Sequence, residues 1–158
     1  GACSIWSIFP LFLADRGASR LWVGIVFAIN PFAQVLFMNL LEGAGERLLI
    51  ITGFVLSALV FFAFGLVTNF RQVVPIQLML ALSWSCLYLG SLRELMRVNR
   101  ERSTAAGMFQ STLSLSAVGG ALLLGLTGAL GYRGIMFVAA GLAVAGGILH
   151  LAVKPRQA

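Results

Sequence analysis

Two carboxamide side chains, Asn30 and Gln34, stand four residues apart in a long apolar stretch. This spacing places both side chains on the same face of a helix. A carboxamide donates and accepts hydrogen bonds without carrying a charge. The pair is therefore suited either to binding a polar molecule or to cross-linking two helices, and the sequence leaves both interpretations open.

Uncharged polar residues also occur in two further apolar stretches. One holds Gln77 and Trp84, and the other holds Gln110 and Ser114, again four residues apart. Trp84 is either a packed aromatic residue or a surface on which a solute stacks. A serine such as Ser114 either faces a polar pathway or hydrogen-bonds back to its own helix. Together these residues are the candidates for a substrate pathway: Asn30, Gln34, Gln77, Trp84, Gln110 and Ser114.

Residues typical of other chemistry are isolated in the sequence. Cys3 and Cys86 each lie alone in an apolar stretch, and the single histidine, His150, lies at the end of the last stretch. No cysteine or histidine spacing matches a metal site, so we expect neither a metal nor a cofactor. An intramembrane serine protease needs a context such as Gly-x-Ser-Gly and a facing histidine, and that motif does not occur. We therefore expect that the protein is not an enzyme.

The composition is that of a membrane protein. Hydrophobic residues make up 59% of the chain and charged residues 10%, whereas a soluble domain has about 25% charged residues. The mean hydropathy is +0.97. The apolar runs are continuous rather than alternating, which predicts an all-α polytopic membrane protein with the lipid bilayer as its surroundings. The net charge of +6 lies in short loops, where membrane topology explains it, so we expect no nucleic-acid partner.

Six apolar segments fill the chain, and short connections between them predict antiparallel neighbours. The first is shorter than the ~20 residues that a crossing needs, so we expect a truncated first helix within a larger protein. The predicted segments are residues 2–14, 21–41, 48–67, 73–92, 104–130 and 135–153.

Arginine and lysine residues in the loops predict the orientation. Seven lie on one side, namely Arg47, Arg93, Arg97, Arg100, Arg102, Lys154 and Arg156. Four lie on the other, namely Arg16, Arg20, Arg71 and Arg133. The side with seven is predicted to be cytoplasmic, with the C-terminus on that side and the protein in the plasma membrane.

Polar residues are concentrated in the second, fourth and fifth segments. Because polar groups are costly in hydrocarbon, we expect these segments to line an interior and the third and sixth to face lipid. Pro31 lies between Asn30 and Gln34 and removes one hydrogen bond from the helical ladder. Interrupted helices of this kind are common near solute sites at the membrane midplane, which favours a binding role for the pair.

Three stretches resemble the major facilitator superfamily of transporters. Residues 8–34 resemble the short outer loop between its seventh and eighth helices, and residues 101–134 resemble its eleventh helix through the start of its twelfth. Residues 38–47 lie where the family repeats its cytoplasmic loop motif. In that loop Glu42 matches the acidic position, Gly45 the glycine and Arg47 the last basic position, whereas Met38, Gly43 and Glu46 depart from the pattern.

The resemblance covers essentially the whole chain and implies the C-terminal six-helix half of such a transporter. It implies alternating-access transport of a small-molecule substrate, with a missing N-terminal six-helix half as partner. The short basic ending KPRQA favours the C-terminal half. Two alternatives stay open: the N-terminal half of the same transporter type, and a non-transporting integral membrane subunit.

Overall fold

The computed structural model describes residues 2–152 of the chain. Within this range the protein is all-α, with six α-helices and two 3-10 turns and without a strand. The 3-10 turns are Phe70–Gln72 and Gly128–Leu130. The helices are α1 (Ala2–Asp15), α2 (Arg20–Leu40), α3 (Glu46–Leu66), α4 (Val73–Val98), α5 (Arg102–Thr127) and α6 (Gly131–Ala152).

Five of these helices are long and apolar enough to cross a membrane, by length and composition. They are α2 to α6, and α1 has only 14 residues. This is the architecture of an integral membrane protein. The predicted segments agree with the helices within a few residues, with one exception. The sequence predicts that α4 ends at Leu92, but the helix continues for six more residues, to Val98. The extension, Arg93–Val98, contains three charged residues but is rich in good helix formers, which hydropathy alone does not detect.

Local sequence accounts for the short turns between helices. Ser19 precedes α2, and its hydroxyl accepts a hydrogen bond from the Trp22 amide at 3.4 Å. Gly17 and Gly131 have φ angles of +84° and +65°, which residues with a Cβ rarely adopt. Two of the turns, Arg16–Ser19 and Asn99–Glu101, have four and three residues. Turns this short keep consecutive helices adjacent.

α3 lies between α4 and α6 and packs closely against both. Glycine makes this approach possible: a Cβ added to Gly53 would lie 2.6 Å from Leu87, and one added to Gly90 would lie 2.7 Å from Ile50. The prediction that the third segment faces lipid is therefore wrong for most of its circumference. One apolar face of α3 stays uncovered and consists of Leu48, Val55, Leu59, Phe62 and Leu66.

α5 is the least buried of the five long helices. It packs through a face that includes Ala105 and Phe109, and the Phe109 ring meets Tyr88 of α4 edge-on at 5.2 Å. The remaining surface has two different sides. Met108, Leu115 and Leu122, seven residues apart, form an exposed side that is apolar except for Thr112. A second exposed side, the polar stripe of α5, consists of Gly107, Gln110, Ser111 and Ser114.

Helix packing follows an inverted pattern of three plus three. If α1, α2 and α3 are exchanged with α4, α5 and α6, the α2–α4 contact maps onto α5–α1, α3–α4 onto α6–α1, and α1–α2 onto α4–α5. The α3–α6 contact maps onto itself. The correspondence holds for which helices touch and not for how extensively, because α3–α4 is the most extensive contact of the bundle and α6–α1 is one of the slightest. The small α5–α6 contact has no counterpart in the pattern. Consecutive helices run in alternating directions. Each triplet has three helices, so α1 and α4 run in opposite directions, and the second triplet is inverted relative to the first.

The main hydrophobic core lies at the end of the bundle where α1 and α3 finish. Phe9 is buried and meets the rings of Phe27 and Phe64 edge-on at 5.6 and 5.7 Å. The Phe12 ring stacks on Tyr132 of α6 at 3.9 Å between centroids. These contacts tie α1 to α2, α3 and α6, so an aromatic cluster rather than length holds the short first helix in place.

Arg16 fastens this end of the bundle, and its removal is expected to destabilise the protein. Its guanidinium lies 4.8 Å from the centre of the Phe12 ring and donates a hydrogen bond to the Val67 carbonyl at the end of α3. We expect Arg16→Ala to lower the free energy of unfolding by about 1.5–3 kcal/mol, the contribution typical of a hydrogen bond that involves a charged group. The measurement is thermal unfolding of the purified protein in detergent.

Arg20→Ala is the matched control, because Arg20 is exposed and makes no ion pair in the described part of the chain. Equal melting temperatures for the two variants would contradict a fastening role for Arg16.

Candidate functional site

A chain of three carboxamides joins α2 to α4. Gln34 Nε2 donates to Asn30 Oδ1 within α2. Asn30 Nδ2 then donates across the helix interface to Gln77 Oε1 at 3.1 Å and to the Gln77 backbone carbonyl at 3.3 Å. Ser85 adds a further link, since its hydroxyl donates to the Gln34 carbonyl at 3.4 Å. We call Asn30, Gln34, Gln77 and Ser85 the amide cluster.

Residue spacing on the two helices positions the cluster. Val26, Asn30 and Ala33 are the buried residues of α2 and lie on one face. On α4, Gln77, Ala81 and Ser85 are four residues apart and all buried. The small side chains of the alanines let the helices approach, so that carboxamides on facing positions come within hydrogen-bonding distance.

The backbone carbonyl of Gln77 determines the direction of the hydrogen bonds. A carbonyl oxygen can only accept, so the Asn30 atom that faces it is the amide nitrogen. That nitrogen in turn faces Oε1 of the Gln77 side chain. Gln77 Nε2 is left buried without a hydrogen-bond partner among the described residues. The cluster thus has a satisfied centre at Asn30, a partly exposed end at Gln34 and a buried free donor at Gln77.

A second buried polar contact, between α3 and α4, is fully satisfied. The hydroxyls of Ser57 and Ser83 lie 2.7 Å apart, and Ser83 donates to the Gly53 carbonyl at 3.0 Å. Every donor and acceptor that these hydroxyls need lies within the pair or on the α3 backbone. This contact cross-links two helices and leaves no group over for a ligand.

The structure brings together three of the six pathway candidates that the sequence indicates. Asn30, Gln34 and Gln77 form the cluster, and Ser85, which is not one of the six candidates, joins them. Trp84 is half-buried on α4 and does not join the cluster. Gln110 and Ser114 lie on the exposed polar stripe of α5, where the Ser114 hydroxyl donates to the Gln110 backbone carbonyl at 3.0 Å.

The turn between α2 and α3 contacts the end of α4 through residues other than those that match the family motif. Glu46 pairs with Arg97 at 3.1 Å, and Arg93 donates to the Ala44 carbonyl at 3.2 Å. Glu42 and Arg47 are exposed and make no ion pair in the described residues, while Gly45 precedes the first residue of α3. Glu46 is the contact residue because it starts α3, whose first turn packs beside Gly90 of α4.

The surroundings of the amide cluster carry no charge. No charged residue occurs between Leu21 and Leu40 in α2 or between Val73 and Leu92 in α4. Among the described residues, no group of three histidine, cysteine, aspartate or glutamate side chains is placed to hold a metal ion. The site therefore offers uncharged hydrogen bonding between two helices that are long and apolar enough to cross a membrane.

No protein-family model matches the chain, and no curated protein matches it. The fold and the site define a class: an all-α integral membrane protein with five membrane-length helices and an uncharged amide cluster between two of them.

Proposed function

We propose that the chain is one six-helix half of a secondary transporter of the major facilitator type, which moves a small uncharged solute across the plasma membrane by alternating access. The inverted pairing of α1–α3 with α4–α6 carries this proposal. Inverted triplets of helices are the typical internal symmetry of such halves, and their solute sites lie near the membrane midplane.

The polar stripe of α5 supports a second unit as partner. Gln110, Ser111 and Ser114 are exposed on the bundle, although polar side chains facing hydrocarbon are costly. The hydroxyls satisfy their donors on their own helix, Ser111 with Gly107 and Ser114 with Gln110, but Gln110 keeps a free carboxamide in the described structure. A water-filled pathway between two six-helix units accommodates this stripe.

Contacts at the two ends of the bundle are consistent with the proposed orientation. Arg93 and Arg97 contact the α2–α3 turn at one end, whereas Arg16 contacts the end of α3 at the other. Arg93 and Arg97, which the loop count assigns to one side of the membrane, therefore lie at the opposite end of the bundle from Arg16, which it assigns to the other side. We place the Arg93 end in the cytoplasm on the basis of the positive-inside rule.

Labelling of single cysteines tests the proposal in the full-length protein. With every native cysteine replaced by alanine, Cys3 and Cys86 included, Ser114→Cys is expected to react with a membrane-impermeant thiol reagent added from either side of the membrane. The expected reason is that alternating access exposes the polar stripe to water on each side in turn. The matched control is Leu115→Cys, the neighbouring position on the exposed apolar side of α5, which we expect to stay unreactive because it faces lipid.

If Ser114→Cys does not react with the thiol reagent added from either side of the membrane, the transport proposal is contradicted. That result would favour a non-transporting membrane subunit, in which the amide cluster only cross-links α2 and α4 and a partner helix covers the polar stripe.

A further inference from the structure

Gln77 has a carboxamide nitrogen that the fold buries and leaves without a partner. The residue is 0% exposed, and no hydrogen-bond acceptor for Nε2 lies among the described residues. A buried amide donor without an acceptor destabilises a fold. The other side chains of the amide cluster have hydrogen-bond partners or reach the surface. The buried hydrogen-bonding group that stays unused in the cluster is therefore a donor.

We infer that the two N–H groups of Gln77 bind an oxygen atom of the transported solute, and that the solute is an uncharged molecule with a carbonyl, ether or hydroxyl acceptor. This inference rests on the proposed transport function, because it takes the buried donor as part of the solute pathway. The solute must supply an acceptor because of the direction of the hydrogen bonds in the cluster. The Gln77 backbone carbonyl turns the Asn30 amide nitrogen towards Gln77, that nitrogen occupies Gln77 Oε1, and only the Nε2 donor of Gln77 stays unused.

The lack of charge in the solute follows from the neighbouring helices. Between Leu21 and Leu40 and between Val73 and Leu92 there is no side chain that could compensate an ionic group. A buried charge needs a partner of opposite sign, whereas an oxygen acceptor needs only a donor. Amides and one serine hydroxyl are what the cluster supplies.

The solute reaches Gln77 when α2 separates from α4. Gln77 is closed off in the described conformation, while Gln34 is partly exposed and marks the side from which the cluster is approached. α2 is one of the less buried long helices. Pro31, directly after the central Asn30, removes one rung of its hydrogen-bond ladder, so α2 is the helix better suited to move.

The first test measures melting temperature in the full-length protein with Gln77→Met, which keeps the side-chain volume and removes the donor. Methionine also removes the Oε1 acceptor of Asn30. The expected result is still an unchanged or raised melting temperature, because removal of the buried, unpartnered Nε2 offsets this loss and Asn30 Nδ2 keeps the backbone carbonyl of residue 77 as its partner. A drop of several degrees would show that the carboxamide is a structural cross-link and would overturn the inference. Ser83→Ala is the matched control and is expected to lower the melting temperature, since it breaks the satisfied α3–α4 contact.

The second test measures binding of a panel of probes as a shift in melting temperature. The uncharged probes are glucose, nicotinamide and tetraethylene glycol dimethyl ether, which carry hydroxyl, carbonyl and ether oxygens, and tetraethylammonium is the charged probe without an acceptor. We expect at least one uncharged probe to stabilise the wild-type protein and the Ser83→Ala variant. Its affinity for Gln77→Met is expected to be lower by roughly tenfold or more, as for the loss of a buried hydrogen bond.

Stabilisation by tetraethylammonium alone, or by none of the four probes, would overturn the inference. The results also separate it from the proposed function. Transport of an uncharged probe that is equally fast in wild type and Gln77→Met retains the transport proposal and rejects the role of Gln77. Binding that depends on Gln77, in a protein that moves no probe into vesicles, supports the site and rejects transport.

Discussion

Replacing Asn30 by leucine is expected to cause the largest loss of function of any single change in the amide cluster. Asn30 is 3% exposed and is the only residue of the cluster that bonds to both of the other carboxamides. Its removal leaves Gln77 wholly unpaired in a buried position, which costs about 1–3 kcal/mol of unfolding free energy. Solute uptake is expected to fall by roughly tenfold or more, since each 1.4 kcal/mol lost at a binding site is a factor of ten.

Asn39 provides a matched control on the same helix. Its side chain is exposed and bonds only to the Val35 carbonyl of its own helix at 2.8 Å, so Asn39→Leu is expected to change the unfolding free energy by less than about 0.5 kcal/mol. The measurements are uptake into vesicles that contain the full-length protein and thermal unfolding in detergent. Uptake by Asn30→Leu at the rate of Asn39→Leu would show that the cluster lies outside the solute pathway.

Replacing Gly90 by valine is expected to cause the largest loss of stability. Even an alanine Cβ at this position would lie 2.7 Å from Ile50 Cγ1 and 3.0 Å from the Glu46 backbone oxygen. The backbone oxygen cannot rotate away, so α3 and α4 would have to separate along the seam that also holds Ser57 and Ser83. We expect the free energy of unfolding to fall by about 1–3 kcal/mol, the range typical of overpacking, with a low yield of folded protein.

Gly24 is the corresponding control in α2, where an added Cβ would meet nothing within 4 Å. Gly24→Val is expected to be neutral or slightly stabilising, because glycine in a helix interior costs about 0.5–1 kcal/mol relative to alanine. Yield and melting temperature, measured side by side in detergent, check both variants. If Gly90→Val and Gly24→Val have the same melting temperature, the α3–α4 interface is not the rigid element that its close packing indicates.

The two variants separate binding from scaffold. Asn30 belongs to the α2–α4 interface, where one donor is left over, and Gly90 to the α3–α4 interface, where hydroxyls and glycines satisfy one another. If Asn30→Leu loses mainly solute uptake and Gly90→Val loses mainly the ability to fold, the protein consists of a movable α2 beside a rigid unit of α3, α4 and α6.

The sequence by itself determines the all-α membrane class, the number of helices and most of their ends. These properties depend on the length and hydropathy of continuous apolar runs and on local turn residues such as Ser19 and Gly131, which act within a few residues of the chain. The uncharged character of the site is also determined locally, because it depends only on which residues each helix contains. α4 is the exception at its end, since helix formation continues through Arg93–Val98 after the apolar run has stopped.

Tertiary structure alone decides which polar residues meet. Asn30 pairs with Gln77 rather than with Gln110, and Glu46 rather than Glu42 binds Arg97. α3 packs between α4 and α6 with only one face uncovered, although its sequence is as apolar as a lipid-facing helix. Each outcome depends on how far a helix is rotated about its axis and how closely it approaches a neighbour. Those quantities are fixed by small residues on the facing helix, such as Ala81 and Gly90, far away in the sequence, and therefore no local pattern contains them.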